Sequence, residues 1–350
     1  MLKNIINNPA DWRGCMVLFA ASIIIRLASG IEIKNEDDLL IELVNKGGKA
    51  ISEGGPVGAT FVDLFPLVRM LPYSLSWLVP SLKFARDQIP VVRAMHDVPF
   101  GMVQDQMKDE TAKDSFLVRY LNERANIASD SRDGPESVTD EDLKGAASTL
   151  FVAGQDTTWS QLTFFVLAMV YYPDIQVKAR IEIESVIGTG RLPEFSDEQN
   201  LPYISRVVQE AFRWNLVVPL GIPRVSSKDD EYNGLFIPKG SIVIANGYAI
   251  HHDDRIYQDP DVFDPDRFIP KEDGGRGEPS PLAHFGFGRR ICPGQHLAYA
   301  SVWISIAGML STLSFSKAHN EKGFEITPDP KITLGSSSRL PLRDYTAPTR

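Results

Sequence analysis

Apolar residues recur at helical spacing through the first two thirds of the chain, so the pattern predicts a mainly α fold. Thr139 and Asp142 form a capping-box pattern, and the apolar residues that follow continue to Tyr172, just before Pro173. At about 1.5 Å per residue this helix would be roughly 50 Å long, enough to cross a whole domain. Shorter helices are predicted within 1–52 and at 114–127, 174–187 and 204–214.

The pattern changes after Pro219. Alternating and continuous apolar residues predict strands there, and we expect a small sheet within 224–250. Residues 251–281 are rich in Asp, Pro and Gly and predict a long irregular segment, which in a compact domain is usually functional. Apolar residues return at 297–310, predicting a buried helix, and 320–343 predicts a terminal hairpin. The fold class is therefore mainly α with a small β region.

The segment 56–110 carries many large apolar side chains and predicts two helices joined near 72–80, where prolines occur. We favour the interpretation that these side chains form core, and the alternative is a lid or mouth for an apolar ligand. The residues concerned are Phe61, Phe65, Met70, Leu71, Tyr73, Trp77 and Leu78.

Composition narrows the class of protein. The 36 basic and 45 acidic residues give a net charge of −9, which argues against a nucleic-acid partner because such binders usually carry a basic face. Two cysteines, Cys15 and Cys292, are too few for a disulfide framework and fit a reducing compartment. The longest apolar stretch, 16–25, is shorter than the roughly 20 residues that span a bilayer. We therefore expect a core helix there and no membrane anchor in this chain.

The middle of the long predicted helix is polar where a buried helix should be apolar. Its sequence from 153 to 158 is Ala-Gly-Gln-Asp-Thr-Thr, and polar groups and glycine both weaken a buried helix. One interpretation is a local kink with threonine hydroxyls bonded back to helix carbonyls. The other is a groove that faces a reaction centre, where the Asp156 carboxylate and the Thr157 hydroxyl would handle protons.

The loop 285–294 has the sequence Phe-Gly-Phe-Gly-Arg-Arg-Ile-Cys-Pro-Gly. Its glycines allow backbone conformations and close approaches that a side chain would forbid. Cys292 lies beside Arg289 and Arg290 and near the start of the helix predicted at 297–310. The helix dipole and both cations favour a thiolate, the form of cysteine that binds a metal or attacks an electrophile.

Several roles for Cys292 compete. A buried structural cysteine is the common case. A phosphate-binding loop would need Lys-Ser/Thr after Gly294, where Gln295 follows, and a phosphatase-like thiolate would want an arginine at position 298, which is alanine. A cysteine hydrolase would need a distant histidine that the sequence alone does not locate. The remaining role is thiolate ligand to a haem iron.

Four motifs in a fixed order resemble those of the cytochrome P450 haem-thiolate monooxygenases. Residues 153–158 look like the oxygen-activation motif of that family, and Glu210-Ala-Phe-Arg213 looks like its Glu-x-x-Arg pair. Residues 263–268 are similar to its Pro-Glu-Arg-Phe element, with Asp266 in place of the usual Glu, and 285–294 matches the haem-loop signature. The resemblance covers roughly 1–343, and the motifs are similar to those of fungal members, many of which serve secondary metabolism.

The resemblance implies a role for each motif. Cys292 would be the axial ligand of haem b (heme b), and Phe285 would pack near its sulfur. Arg290 and Arg224 would bind the haem propionates. Asp156 and Thr157 would deliver protons during oxygen activation.

Glu210, Arg213 and Arg267 would form a buried charge cluster that fixes the irregular segment behind the haem. The Asp266 replacement should be tolerated, because Arg267 is the member of its motif that joins this cluster.

The resemblance further implies a single haem-thiolate domain, 1–350, that lacks its N-terminal part. The early helix that normally offers a Trp and a basic residue to the haem has no counterpart, since Trp12 and Arg13 are adjacent. Full-length relatives are associated with the endoplasmic reticulum membrane, so a membrane surface is an expected partner of a full-length form. Apolar pocket walls are expected near 217–220 and 334–335, besides 56–110.

The function implied is insertion of one oxygen atom from O2 into a small hydrophobic substrate. Electrons would come from NADPH through a separate cytochrome P450 reductase, because no nucleotide-binding fingerprint occurs in the sequence. Two alternatives stay open. One is an isomerase or peroxygenase of the same fold that needs no reductase, against which Thr157 argues. The other is a catalytically inactive haem-binding fragment.

Overall fold

The computed structural model describes residues 1–33, 35, 37–54, 60–130, 138–320 and 322–328. Its helices are α1 (Leu2–Asn7), α2 (Trp12–Ser29), α3 (Leu39–Gly54), α4 (Phe61–Leu64), α5 (Pro80–Lys108), α6 (Phe116–Asp130), α7 (Asp140–Tyr171), α8 (Pro173–Ile187), α9 (Pro202–Trp214), α10 (Gly247–His251) and α11 (Gln295–Thr312). Its strands are β1 (Arg224–Val225), β2 (Asp230–Tyr232), β3 (Leu235–Ile237), β4 (Ile242–Val243), β5 (Ala318–His319) and β6 (Glu325–Ile326). The fold is mainly helical, as the sequence predicts.

The strands form short antiparallel pairs. β1 pairs with β4, with Arg224 opposite Val243, and β2 pairs with β3. These pairs confirm the small β region predicted within 224–250. β5 pairs with β6, so a short hairpin begins two residues before the range 320–343 predicted for the terminal hairpin. Of that predicted range, 321 and 329–343, including 334–335, lie outside the described residues.

The chain divides into two compact units. The first contains Met1 and residues 13–159, and the second contains residues 2–12 and 160–350. The core of the first unit is apolar and includes Ile25 of α2, Val103 of α5, Leu117 of α6 and Phe151 of α7. The single haem-thiolate domain expected over 1–350 stays a prediction.

Helix α7 begins at the predicted cap. Thr139 N donates to Asp142 Oδ2 at 2.9 Å, and Asp142 N donates to Thr139 Oγ1 at 3.2 Å. These two bonds satisfy backbone groups that the first helical turn leaves open. The helix then runs without interruption to Tyr171, and Pro173 begins the next helix.

Gly154 has a packing role in the first unit. A Cβ atom at this position would lie 2.7 Å from Cγ1 of Ile24 on α2. Such a separation is a clash, so only glycine lets these two helices approach this closely. The glycine that weakens the middle of α7 is therefore explained by helix packing.

The core of the second unit is built on α9 and α11. Val207 and Val208 of α9 and Trp303 of α11 are fully buried. Trp303 Nε1 donates to Ser205 Oγ at 3.2 Å, and Gln161 Nε2 of α7 donates to Ala211 O of α9 at 2.7 Å. The second part of α7 is thus attached to α9 by a buried hydrogen bond.

The core interpretation of the apolar segment is wrong for most of the residues named. Leu71 is half-buried, but the other six large side chains are exposed: Phe61, Phe65, Met70, Tyr73, Trp77 and Leu78. Exposure is greatest at Leu67 and Met70, at 79% and 80%. The connection predicted near 72–80 consists of 3-10 turns that lead into α5. Composition alone could not reveal this exposure, because burial depends on which elements pack against the segment.

The N-terminal helical region is longer than its most apolar stretch suggested. Pro9–Ser29 is long and apolar enough to cross a membrane by length and composition, with a mean hydropathy of 1.4. Half of its most apolar window is buried inside the structure.

The contact between Gly154 and Ile24 can be tested with two matched substitutions in α7. Gly145→Ala should raise the free energy of unfolding by up to about 1 kcal/mol, because alanine favours a helix and a Cβ at Gly145 meets nothing within 4 Å. Gly154→Ala should be less stable than Gly145→Ala by about 1–3 kcal/mol, because it overpacks the contact. Urea unfolding followed by circular dichroism measures both, and equal stability of the two variants would contradict the packing role.

Candidate functional site

The loop 285–294 lies in the second unit, and a backbone bond connects its first residue to its cysteine. Cys292 N donates to Phe285 O at 2.8 Å. Gly286 and Gly288 adopt φ angles of +79° and +58°, which L side chains rarely adopt. The loop thus brings the backbones of Phe285 and Cys292 together, and the packing of the Phe285 ring near the sulfur stays a prediction. A Cβ at Gly288 would meet no atom within 4 Å, so the space beside this glycine is open.

Cys292 is half-buried, and α11 begins three residues later with Gly294 at its cap position. The thiol therefore lies near a helix N-terminus, where the helix dipole favours a negative charge. Phe287 and Ile291 in the same loop are 49% and 41% exposed. Large apolar side chains beside a half-exposed thiol form a surface suited to an apolar ligand.

Two predicted anion-binding residues are exposed in the second unit. Arg290 ends the 3-10 turn Gly288–Arg290, and Arg224 lies on β1. Within the described residues, neither guanidinium has a carboxylate oxygen within 4.0 Å. Both cations are therefore available for an anion that is not part of the described protein.

Asp156 and Thr157 lie on α7 in the first unit. Thr157 Oγ1 donates to Ala153 O at 2.7 Å, and Thr158 Oγ1 donates to Gly154 O at 2.8 Å. These bonds confirm that the threonine hydroxyls bond back to the helix. Asp156 Oδ1 accepts a hydrogen bond from Trp159 Nε1 at 3.1 Å. The proton-handling role of Asp156 and Thr157 stays a prediction.

Glu210, Arg213 and Arg267 form the predicted charge cluster in the second unit. Arg213 Nε and Nη2 donate to the two carboxylate oxygens of Glu210 at 2.8 and 2.9 Å, and Arg267 Nε donates to Glu210 Oε1 at 3.0 Å. All three side chains are 0% exposed. Burial raises the pKa of Glu210, whereas the bonds from both guanidiniums act to lower it.

Asp266, which stands where Glu is usual, lies outside this cluster. Its carboxylate binds Lys178 of α8 and is 39% exposed. The acid at this position is thus used at the surface, which agrees with the expectation that its replacement is tolerated. Arg267, its neighbour, points the other way into the cluster, as the buried bond to Glu210 requires.

His251 on α10 contributes to the cluster in a way that the sequence did not indicate. Its carbonyl oxygen accepts a hydrogen bond from Arg213 Nη1 at 2.8 Å, and its side chain is buried. Burial, together with the nearby His284 and Arg213, lowers the pKa of His251 to about 3. The imidazole is therefore neutral in the folded protein near pH 7. No spacing or motif in the sequence indicates that His251 is buried beside the cluster.

The family model for cytochrome P450 matches residues 3–340. The chain belongs to the cytochrome P450 family. This P450 is 33% identical over 345 residues to cytochrome P450 monooxygenase 176 of Postia placenta, covering 97% of this chain and 64% of the relative. It is 37% identical over 341 residues to cytochrome P450 monooxygenase claR of Ampulloclitocybe clavipes, covering 96% of this chain and 61% of the relative. The chain thus spans less than two thirds of the length of these fungal relatives.

The pKa of His251 predicts a pH dependence of stability. In the unfolded chain a histidine binds a proton below about pH 6.5, whereas folded His251 stays neutral down to about pH 3. Stability is therefore fully present above about pH 6.5 and is lost as the pH falls below it. Between about pH 7.5 and about pH 5.5 this histidine alone should remove about 1.4 kcal/mol from the free energy of unfolding.

Urea titrations at both pH values measure this loss. The His251→Gln variant should lack that share of the pH dependence, whatever its stability at neutral pH. His319→Gln is the matched control, because His319 is exposed and should leave the dependence unchanged. An equal dependence in wild type and His251→Gln would show that His251 does not titrate on unfolding.

Proposed function

We propose that this P450 binds haem b through Cys292 and inserts one oxygen atom from O2 into a small hydrophobic substrate. Electrons would come from NADPH through a separate cytochrome P450 reductase. The observation that carries the proposal is the loop 285–294, in which a half-exposed thiol is fixed between two positive-φ glycines and the start of α11. The family and the names of its fungal relatives support the reaction class.

The residues of the second unit fit a haem. A haem is a flat apolar macrocycle with two propionate anions and an iron that accepts a thiolate. Phe287 and Ile291 expose apolar surface beside the thiol, and Gly288 leaves open space. Arg224 and Arg290 are cations without a carboxylate partner among the described residues, and a guanidinium suits a propionate.

When bound, the haem supplies the reductive activation of O2. Cys292 Sγ would hold the iron as a thiolate, and the bond from Cys292 N to Phe285 O fixes the backbone that carries this sulfur. Phe285 would limit the access of water to the sulfur. Asp156 and Thr157 would pass a proton by way of Thr157 Oγ1. The Glu210 cluster keeps the segment 258–278 in place and so supports the loop that follows.

We further propose that this P450 is associated with the endoplasmic reticulum membrane and acts in secondary metabolism. The exposed apolar side chains near Leu67 and Met70 support contact with a membrane surface or a hydrophobic ligand. In the second unit, 217–220 would supply an apolar wall for the substrate. We propose that 1–350 acts as one haem-thiolate domain.

The role of Cys292 is tested by the spectrum of the reduced, carbon-monoxide-bound protein. Wild type should show the thiolate-type band of the family, and Cys292→Ala should lose it, because alanine offers no ligand. Cys15→Ala is the matched control, because Cys15 is buried in the first unit and should keep the band. The absence of this band from wild-type protein containing haem would refute the thiolate ligand and favour an inactive haem-binding fragment.

The role of Thr157 is tested by the yield of product per NADPH consumed in the presence of reductase and O2. Thr157→Ala should lower this yield by about 10²-fold, the range in which a positioned proton donor contributes, and Thr157→Ser should restore much of it. Thr158→Ala, which removes an equivalent back-bond from the next residue, should change it little. An undiminished yield in Thr157→Ala would rule out the proton-delivery role of Thr157.

A further inference from the structure

The buried Glu210 cluster is not electrically neutral by itself. It contains two arginines and one glutamate, and arginine does not lose its proton in proteins. Carbonyl oxygens of His251, Pro260 and Val262 accept hydrogen bonds from Arg213. These dipoles satisfy its donors but cannot cancel a full charge. A buried positive charge without a counterion would be strongly destabilising, so a second acid is required.

That acid is Glu278. Its Oε2 atom accepts a hydrogen bond from Arg267 Nη1 at 2.6 Å, and its side chain is only 7% exposed. Its Oε1 atom accepts a hydrogen bond from Gln258 N at 3.2 Å. With Glu278 included, the cluster has two acids and two arginines. Its formal charge is then zero.

Glu278 also closes a ring of contacts. Arg276 Nε lies 3.0 Å from Glu278 Oε1, and the Arg276 guanidinium also binds the carboxylate of Asp264. The backbone N of Asp264 donates to Glu210 Oε1 at 2.8 Å, so the ring of contacts that begins at Glu210 also ends there. The outer pair of Arg276 and Asp264 is itself neutral. The ring therefore holds both ends of the irregular segment 258–278 against α9.

The backbone reinforces this ring where the chain turns toward the cysteine loop. Glu278 N donates to Arg267 O at 3.0 Å, and Gly277 N donates to Ile269 O at 2.8 Å. Pro279 O, one residue further, accepts a hydrogen bond from Tyr257 Oη at 3.2 Å. The chain is thus fixed immediately before residues 281–285, which lead to Cys292.

We propose that Glu278 is a positioning residue that neutralises the buried Glu210, Arg213 and Arg267 cluster and so fixes the segment entering the cysteine loop. None of the four sequence motifs contains it. Its effect on the haem site rests on the proposed function, whereas its effect on the segment does not. Both effects require a negative charge at this position, because a neutral side chain of the same size would leave one arginine uncompensated.

The test compares Glu278→Gln with Glu278→Asp in the haem-free full chain. Glutamine keeps the size of the side chain but removes its charge, and hydrogen exchange over 258–285 should become faster by on the order of 10²-fold. Aspartate keeps the charge at a slightly longer distance and should restore much of the protection. Glu272→Gln is the matched control, since Glu272 is exposed in the same segment.

A second comparison keeps the test valid if Glu278→Gln folds poorly. The double variant Arg267→Gln/Glu278→Gln removes one charge of each sign. Its loss of protection against exchange should therefore be smaller than the sum of the losses in the two single variants. Additive effects would overturn the pairing. Exchange in Glu278→Gln equal to that in Glu272→Gln would overturn the whole proposal.

The haem-bound proteins separate this proposal from the proposed function. Glu278→Gln should lose part of the thiolate-type band after reduction and addition of carbon monoxide, and Glu278→Asp should recover it. A full thiolate-type band together with unprotected exchange in Glu278→Gln would overturn the link to the cysteine loop. If wild type lacks the band while Glu278→Gln still loses protection, the proposed function fails and the positioning role of Glu278 in the segment is supported.

Discussion

The requirement that buried charges be compensated determines much of the second unit. Glu210 binds two arginines that have no access to water, and each arginine also binds backbone carbonyls of the irregular segment. A segment rich in Asp, Pro and Gly has few apolar side chains with which to form its own core. It gains a defined conformation because its carbonyls are the acceptors that Arg213 and Arg267 need. The irregular segment therefore depends on the buried arginines for its conformation, and the arginines depend on the segment for their hydrogen-bond acceptors.

Much of the fold could be predicted because its signals are local. The Thr139 cap and Pro173 bound α7 within a residue, and the change of periodicity after Pro219 located the small β region. Burial was harder to predict. The apolar segment near Met70 has a composition typical of a core, but no element of the described chain covers it. A sequence gives the hydrophobicity of a side chain, whereas exposure depends on residues distant in the chain.

In the candidate site, too, local features could be predicted from the sequence and contacts between distant residues could not. The loop from Phe285 to Cys292 is continuous, and the bond from Cys292 N to Phe285 O that closes it is local. The packing of Phe285 near the sulfur and the role of the loop in binding haem, both implied by the resemblance, stay predictions. The motif pair Glu210 and Arg213 is also local. Glu278 is 68 positions from Glu210 in the numbering, and no short pattern connects them. A charge count of the cluster would have indicated that one acid was missing, and that count is a physical signal which motif matching does not use.

The hydrogen bond from Thr157 to its own helix determines whether this hydroxyl can act as a donor or an acceptor toward a ligand. Its only hydroxyl hydrogen is directed at Ala153 O, so the free lone pairs of Oγ1 can accept a hydrogen bond but the group has no second hydrogen to donate. To donate elsewhere, the hydroxyl must rotate and give up a bond worth about 1 kcal/mol. The hydroxyl therefore has two orientations. With its hydrogen on Ala153 O it can only accept a hydrogen bond from a ligand, and after rotation it can donate one. A ligand that presents a donor selects the first orientation, and a ligand that presents an acceptor selects the second.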